Sequence, residues 1–465
     1  MVAFGTIHDW SPAPGAVVTW HVTAASQEMA RTAPVNSAPA SYQQEQHLRE
    51  FRAHNARGLD MARLLFGTWD LPGTCDVAAM TDAVTFHIRR HSAYHSWFEF
   101  TAADDVVRRS IADPEEIELA PAEYGEKTTD ELRAHLLDTT PDPDRWGCFT
   151  FGVIQRADHF TVYMSVDHSV TDGMSAGVVF MEIQLRYAGL LQGMPVEFGA
   201  PADYTDYCIR ERRHAMSLDI ESPQIRGWRA FAANNGGTLP DFPLPLGDST
   251  VPCRGGMTVV PLMDAEQAER FDAACEAAGV RFSGGVFACA ALAERDLTGV
   301  ATYCGLTPYD MRSTPAEFIS AGWYATIMPV TVPVDGVSFA EAARSAQESF
   351  DRGKELASVP FARAVELANA ESAGLRLPTR AVPLLSIIDA RKIPMTDQWD
   401  ALNVGIYGDS RLSDQVCMWV NRFATETTLT LSFPDNAVAR NSVARYIDAI
   451  RAVYTRIAAG VEVPV

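Results

Sequence analysis

The sequence predicts a mixed α/β protein built as two lobes of similar size, and three observations carry this. The chain has 465 residues, more than one ordinary domain holds. Hydrophobic residues make up 47% and charged residues 21%, so large cores can be buried and disorder is excluded. Strand-like and helix-like stretches alternate in both halves. They are separated by residues 190–255, rich in proline, glycine and acids ("GMPVEFGAPADY", "GGTLPDFPLPLGDSTVP"). The expected division is 1–215 and 216–465.

The elements follow in order. After an irregular, proline-bearing start, "SYQQEQHLREFRAHN" has helical character and "ARLLFGTWDL" reads as a strand. "DVAAMTDAVTFHIRRH" is an amphipathic helix, with Ala79, Val84 and Ile88 on a helical spacing and Asp76 or Cys75 near its start. "YHSWFEF" is the next strand, "DELRAHLLD" a short helix, and "CFTFGVIQ" with "HFTVYMSVDH" a strand pair. In the last, Phe160, Val162, Met164 and Val166 alternate with Thr161, Tyr163, Ser165 and Asp167, the period of a half-buried strand. A helix follows over "MSAGVVFMEIQLRYAGLLQG", and the crossing segment carries helical "DYCIRERRHAMSL" and "SPQIRGWRAFAANN". The second half reads as helices over "DAEQAERFDAACEAAG" and "SGGVFACAALAERDLTG", a strand over "GWYATIMPVTVPV", and a helix over "SFAEAARSAQESFDRGKEL". Strands "VCMWVNRF" and "TTLTLSF" precede a last helix, "NSVARYIDAIRAVYTRIAAG".

Composition excludes several function classes. The formal charge of −21, from 59 acids and 38 bases, argues against nucleic acid and against a broad docking surface for an acidic carrier, though a local arginine patch could serve. The eight cysteines form no CxxC pair, so reduced thiols are expected rather than a zinc site or disulfides. The start "MVAFGTIHDWSPAPG" lacks the basic and apolar stretches of a signal peptide, and no apolar run reaches membrane-spanning length. The expected location is the cytoplasm.

All eleven histidines lie at or before His214, so histidine chemistry must come from the first lobe. "GMSAG", Gly173 to Gly177, fits a hydrolase nucleophile elbow, but that order needs a later acid and histidine, and only His214 follows. Its glycines are expected where the helix crosses the sheet. "HSAYH" sets His91 and His95 at the spacing of a zinc clamp, without the glutamate or a third ligand; no metal is expected. His168, in "VDHSVTDG", ends a strand, and the chain then turns into a helix with Asp172 placed to fix the turn. On residues alone, function and a simple turn stand even.

The stretch resembles the HHxxxDG signature of the condensation-domain superfamily, which unites peptide-synthetase condensation domains, chloramphenicol acetyltransferases and mycobacterial polyketide-associated acyltransferases. "SYQQEQHL" with "HIRRHSAYHSWFEF" is similar to the family's opening helix and helix–strand unit. "DYTDYCIRER" with "WRAFAANNGGTLPDFPLPLGD" is similar to its crossing segment. "GVRFSGGVFACAALAERDLTG" resembles a C-lobe helix, and "PYDMR" with "GWYATIMPVTVPV" resembles the "N-x-R…G-x-F-x-N-T-L-P" region. The segment "HDWSPAPGAVVTWH" looks most like the trehalose-acylating branch.

The resemblance implies two chloramphenicol-acetyltransferase-like lobes, each a mixed sheet flanked by helices, with a tunnel between them. It assigns His168 as catalytic base, Asp172 and Gly173 as structural support, and Arg312, in the C-terminal lobe, as the partner of Asp172. Two positions depart from the pattern: Asp167 replaces the first signature histidine, and "ATIMP" lacks the asparagine. Asp167 is expected to raise the pKa of His168 or bind a sugar hydroxyl. Trp323, Tyr324 and Met328 are candidates to line an acyl channel or to be ordinary core strand residues.

The implied reaction moves a long-chain fatty or polyketide acyl group from coenzyme A or a phosphopantetheine arm to a hydroxyl of trehalose. It needs no cofactor and no acyl-enzyme. The implied partners are an acyl carrier or polyketide synthase and a membrane lipid transporter met at the inner face of the plasma membrane. An amide-forming condensation enzyme and a non-catalytic lipid- or carrier-binding module are the alternatives.

Overall fold

The structure is a computed structural model that describes residues 3–194, 196–370, 374–380, 382–393, 395–412 and 415–461. Met1 and Val2 of the start read above, and Pro195 of the crossing segment, lie outside these.

In chain order the elements are β1 (Ala3–Thr6), β2 (Gly15–Val22), α1 (Ala24–Arg31), β3 (Val35–Asn36), α2 (Tyr42–Asn55), β4 (Leu64–Pro72) and α3 (Val77–Arg90). There follow β5 (Ser96–Phe100), β6 (Val106–Ser110), β7 (Leu119–Lys127), α4 (Thr129–Thr139), β8 (Phe149–Gln155), β9 (His159–Asp167), α5 (Gly173–Gln192) and α6 (Tyr204–Met216). The remainder opens with α7 (Pro223–Ala233), β10 (Gly255–Asp264), α8 (Ala265–Ala277), α9 (Phe282–Thr298), β11 (Thr302–Asp310), α10 (Pro315–Phe318) and β12 (Ala325–Pro333). It closes with α11 (Phe339–Ala357), α12 (Phe361–Ala370), β13 (Leu384–Asp389), β14 (Gly405–Gly408), β15 (Cys417–Arg422), β16 (Glu426–Pro434) and α13 (Ala437–Ala458).

The chain forms two compact units. The first comprises Met1–Arg213, Arg312–Tyr324 and Met395–Arg411; the second comprises His214–Met311, Ala325–Pro394 and Leu412–Val465. The break after Arg213 falls near the expected one. Two later segments nevertheless belong to the first unit, and one of them carries Arg312, which the sequence placed in the second lobe. That segment joins the hairpin partners β11 and β12, and nothing in its composition announces where it packs.

The first unit centres on a seven-stranded sheet in the order β1-β14-β4-β9-β8-β2-β7, with β3, β6 and β5 in a separate small sheet. Helix α4 covers one face, where Leu132 and Leu136 meet Val17, Phe66, Ile154 and Tyr163. Helix α5 lies on the other, with Phe180 edge-on to Trp69 at 5.3 Å. The proline-bearing start is thus more ordered than expected: the prolines end at Pro14, and the β-branched run "GAVVTWHV" pairs with β7 and β8.

Strand β9 also differs from its reading as half-buried. It lies between β4 and β8, and every residue from Phe160 to Asp167 is buried. Its polar side chains are satisfied internally, Tyr163 by Thr19 at 2.7 Å and Ser165 by Thr140 at 2.6 Å, so alternation here separates two covered faces. Gly152, opposite Tyr163, leaves room for that ring, which a Cβ would meet at 2.2 Å.

The second unit holds a six-stranded sheet, β10-β16-β15-β13-β11-β12, in which β13 runs parallel to both neighbours. On one face Phe271, Phe287, Ala343 and Tyr446 of α8, α9, α11 and α13 pack on Val330, Val420 and Leu429. On the other, Trp228 of α7 and Phe361 of α12 meet Leu306. In α9 a Cβ at Gly285 would meet Cys275 Sγ at 2.4 Å, so this glycine lets α8 and α9 approach. All eight cysteines are free. Among the described residues no single helix is long and apolar enough to cross a membrane.

Candidate active site

The site forms where the central strand β9 ends. After Asp167 the chain makes a short 3-10 turn, His168–Val170, and α5 begins at Gly173 with Asp172 as its cap. Asp172 Oδ1 accepts from Ser175 N at 2.8 Å, a normal capping bond at a helix start. The turn is pinned by His168 N donating to Arg63 O at 2.9 Å and by Gln44 Nε2 donating to Ser169 O at 2.7 Å.

Arg312 binds Asp172 with both terminal nitrogens, at 2.9 Å to Oδ2 and 3.1 Å to Oδ1. Its Nη2 also lies 3.0 Å from Ser175 Oγ and 3.3 Å from Ser320 O, and its Nε donates to Glu317 O at 3.1 Å. Tyr324 N adds a bond to Asp172 Oδ2 at 2.9 Å. This buried, fully hydrogen-bonded pair joins the start of α5 to the segment Arg312–Tyr324.

His168 lies beside this pair and not in it. Its Nδ1 is buried with no hydrogen-bond partner among the described residues. The residue as a whole is half-buried, so Nε2 is the nitrogen a substrate can reach. The ring lies on Trp323, with centroids 4.1 Å apart. Burial pushes its pKa below the ordinary imidazole value, the neighbouring His47 adds to that, and Asp172 and Asp167 oppose it. The net direction is opposite to the rise expected from Asp167.

Asp167 does not face a substrate. It is completely buried, with Oδ1 accepting from His47 Nε2 at 3.0 Å and Ser169 N at 2.8 Å, and Oδ2 from Arg63 Nη1 at 2.8 Å. Burial would favour its neutral form, but His47 and Arg63 outweigh that and hold the carboxyl well below the usual carboxylate range. The expectation of a sugar contact is corrected: both oxygens are committed. Tyr324 is likewise buried, its ring under the Arg312 guanidinium at 4.3 Å. Trp323 and Tyr324 precede β12, so neither is a core strand residue; Met328 is, and it is fully buried. Of the candidate substrate contacts, half-buried Trp323 remains.

A family model, "Condensation domain", matches residues 67–377. The chain belongs to the condensation-domain family. It is 50% identical over 462 residues to the "Trehalose-2-sulfate acyltransferase PapA2" of Mycobacterium tuberculosis H37Rv, covering 99% of this chain and 98% of that protein. It is 47% identical to the "2'-acyl-2-O-sulfo-trehalose (hydroxy)phthioceranyltransferase PapA1" of Mycobacterium tuberculosis CDC 1551, covering 99% and 89%. The solved structure "PapA2 acyl transferase" superposes with a TM-score of 0.94 at 49% identity, covering 98% of this chain and 99% of that one. The X-domain from teicoplanin biosynthesis shares the fold, with a TM-score of 0.71 at 19% identity over 90% and 95%. The chain thus falls in the polyketide-associated acyltransferase branch of the condensation family.

In this condensation-family chain the residues of the hydrolase-like and zinc-like motifs are engaged in structural contacts. Ser175 of "GMSAG" is fully buried and hydrogen-bonded to Asp172, Arg312 and Gly322, so it is no exposed nucleophile. Gly173 and Gly177 do not mark a close sheet crossing, because a Cβ at either would meet nothing within 4 Å. His95 bonds to Ile88 O at 2.9 Å and has no part with His91. His91 instead joins His87 and Glu182, at 2.7 Å from His91 Nε2 and 2.8 Å from His87 Nδ1 to Glu182 Oε2, with Arg90 on the other carboxylate oxygen. His91 Nδ1 accepts from Ala321 N at 3.2 Å, so Nε2 carries the proton and donates to Glu182. A metal at Nε2 would displace that proton, and Arg90 already balances the carboxylate, so this set does not fit a cation.

Two predictions arise here. Burial and then the neighbouring His87 lower His91 to about 4. An unfolded histidine takes up its proton near ~6.5, so the unfolded chain binds more protons between these values. Stability is therefore expected to be lost as pH falls through that window, with the urea midpoint dropping and the drop smaller in His91→Gln. An unchanged midpoint would contradict it. Gly322 has φ +153 and a Cβ there would meet the Tyr204 ring at 2.4 Å. Gly322→Ala is expected to cost about 1–3 kcal/mol, read in the same melts.

Proposed function

We propose that this chain transfers a long-chain fatty or polyketide acyl group from a thioester to a hydroxyl of trehalose or a trehalose derivative, with His168 as general base. The observation that carries the mechanism is a half-buried imidazole biased towards its neutral form, while the nearby Asp172 is consumed by Arg312. His168 is therefore a lone base rather than part of a triad. The relatives' names support the acceptor class.

In the step, His168 Nε2 takes the hydroxyl proton as the oxygen attacks the thioester carbonyl. The tetrahedral intermediate collapses, the C–S bond breaks, and the imidazolium returns the proton to the thiolate. Base catalysis of this kind contributes roughly 10²–10⁴-fold, and positioning of both substrates supplies the rest. The thioester is already activated, so the scheme needs neither cofactor nor metal. We place the reaction in the cytoplasm, where coenzyme A and carrier thioesters form, with the lipid product leaving through a membrane transporter.

The test is incubation with palmitoyl-coenzyme A and, separately, trehalose, trehalose 2-sulfate and small amines, following thiol release and product mass. A monoacyl sugar is the expected product. Thiol release independent of any sugar would overturn the acceptor assignment, and an amide product would replace the ester reading.

A further inference from the structure

The signature's first histidine is an aspartate here, yet an imidazole again stands near His168, delivered from another element. Helix α2 begins with a capping box, Ser41 with Gln44, which fixes its first turn. Gln44 and His47, three apart on one face, hold the two residues that flank His168: Gln44 bonds to Ser169 O and His47 to Asp167 Oδ1. An ionised carboxylate only accepts, so His47 Nε2 carries a proton. The almost buried His47 ring stands edge-on to Trp323, centroids 5.6 Å apart, and Trp323 lies on His168. Trp323 thus touches both imidazoles.

We propose that His47 is a positioning residue of the reaction, holding the turn that carries His168 through Asp167 and the His168 ring through Trp323. The inference rests on reading His168 as the base. The charged and titratable groups facing His168 are Asp167 on β9, Asp172 at the start of α5 and His47 on α2, with Arg63, ahead of β4, paired to Asp167. Asp172 is balanced by Arg312, and Arg63 is shared between Asp167 and Asp142. Asp172 and Asp167 both pull a proton towards His168, which a resting base must not hold. His47 offsets that pull.

The test compares His47→Gln, which keeps an N–H donor for Asp167 but cannot take a charge, with Asp167→Asn. Histidine ring carbon resonances, assigned by their loss in His168→Ala, report the His168 titration directly. The pH profile of kcat/KM with palmitoyl-coenzyme A and trehalose reports its consequence. His47→Gln is expected to raise the His168 midpoint and move the acid limb upward, so that kcat/KM falls roughly threefold or more further at ~pH 6 than at ~pH 8. Asp167→Asn is expected to move the midpoint the other way. If buried Asp167→Asn does not fold, the sign of the His47→Gln shift decides alone. An unmoved or lowered midpoint in His47→Gln, with equal rate loss at every pH, would mean packing only and overturn the proposal. Full activity of His168→Ala would instead sink the base assignment itself.

Discussion

Alanine at position 168 is expected to lower acyl transfer by roughly 10²–10⁴-fold while leaving the melting temperature close to that of wild type. The rate falls because no other group can take over. Asp172 is held by Arg312, Asp167 is buried between His47 and Arg63, and Ser175 is buried in the same network. Stability changes little because the half-buried ring makes no side-chain hydrogen bond among the described residues, and its ring contact is with Trp323. Initial rates beside a thermal melt check both parts. A variant with wild-type turnover would remove His168 from the chemistry.

The opposite pattern is expected one turn away. Arg312→Ala and Asp172→Ala each leave a buried charge without its partner, and such losses typically cost about 3–5 kcal/mol. Here the loss reaches further than one ion pair. Asp172 also caps α5 and receives Tyr324 N, while Arg312 gathers the carbonyls of Glu317 and Ser320. Both variants are expected to show lower soluble yield and urea midpoints as well as lost rate. Midpoints equal to wild type would show that the pair does not support the turn. Arg312→Lys should recover only part of the stability, since an ammonium cannot reproduce the two-pronged contact.

Much of this was legible in the residues themselves. The helical character of α2 and the helix over α3 were visible as local patterns, and the chemistry of "VDHSVTDG" was visible through its resemblance. Asp167 misled because its type suggests a polar, substrate-facing role. Nothing local to it reveals that His47 and Arg63, 120 and 104 residues distant, take up its oxygens. The reading of Gly173 and Gly177 failed for a similar reason, since small residues fit both a tight crossing and an open space.

The sequence alone determined the class of fold, because that depends on residue type and short-range spacing, and its resemblance to the condensation-domain signature pointed to His168 with Asp172. Only the tertiary structure decided that Arg312–Tyr324 belongs with the first unit, that Trp323 lies on His168, and that α2 grips both neighbours of His168. These are contacts between segments far apart in the chain. They are fixed by which buried polar groups can satisfy one another, a condition that exists only once the chain has folded.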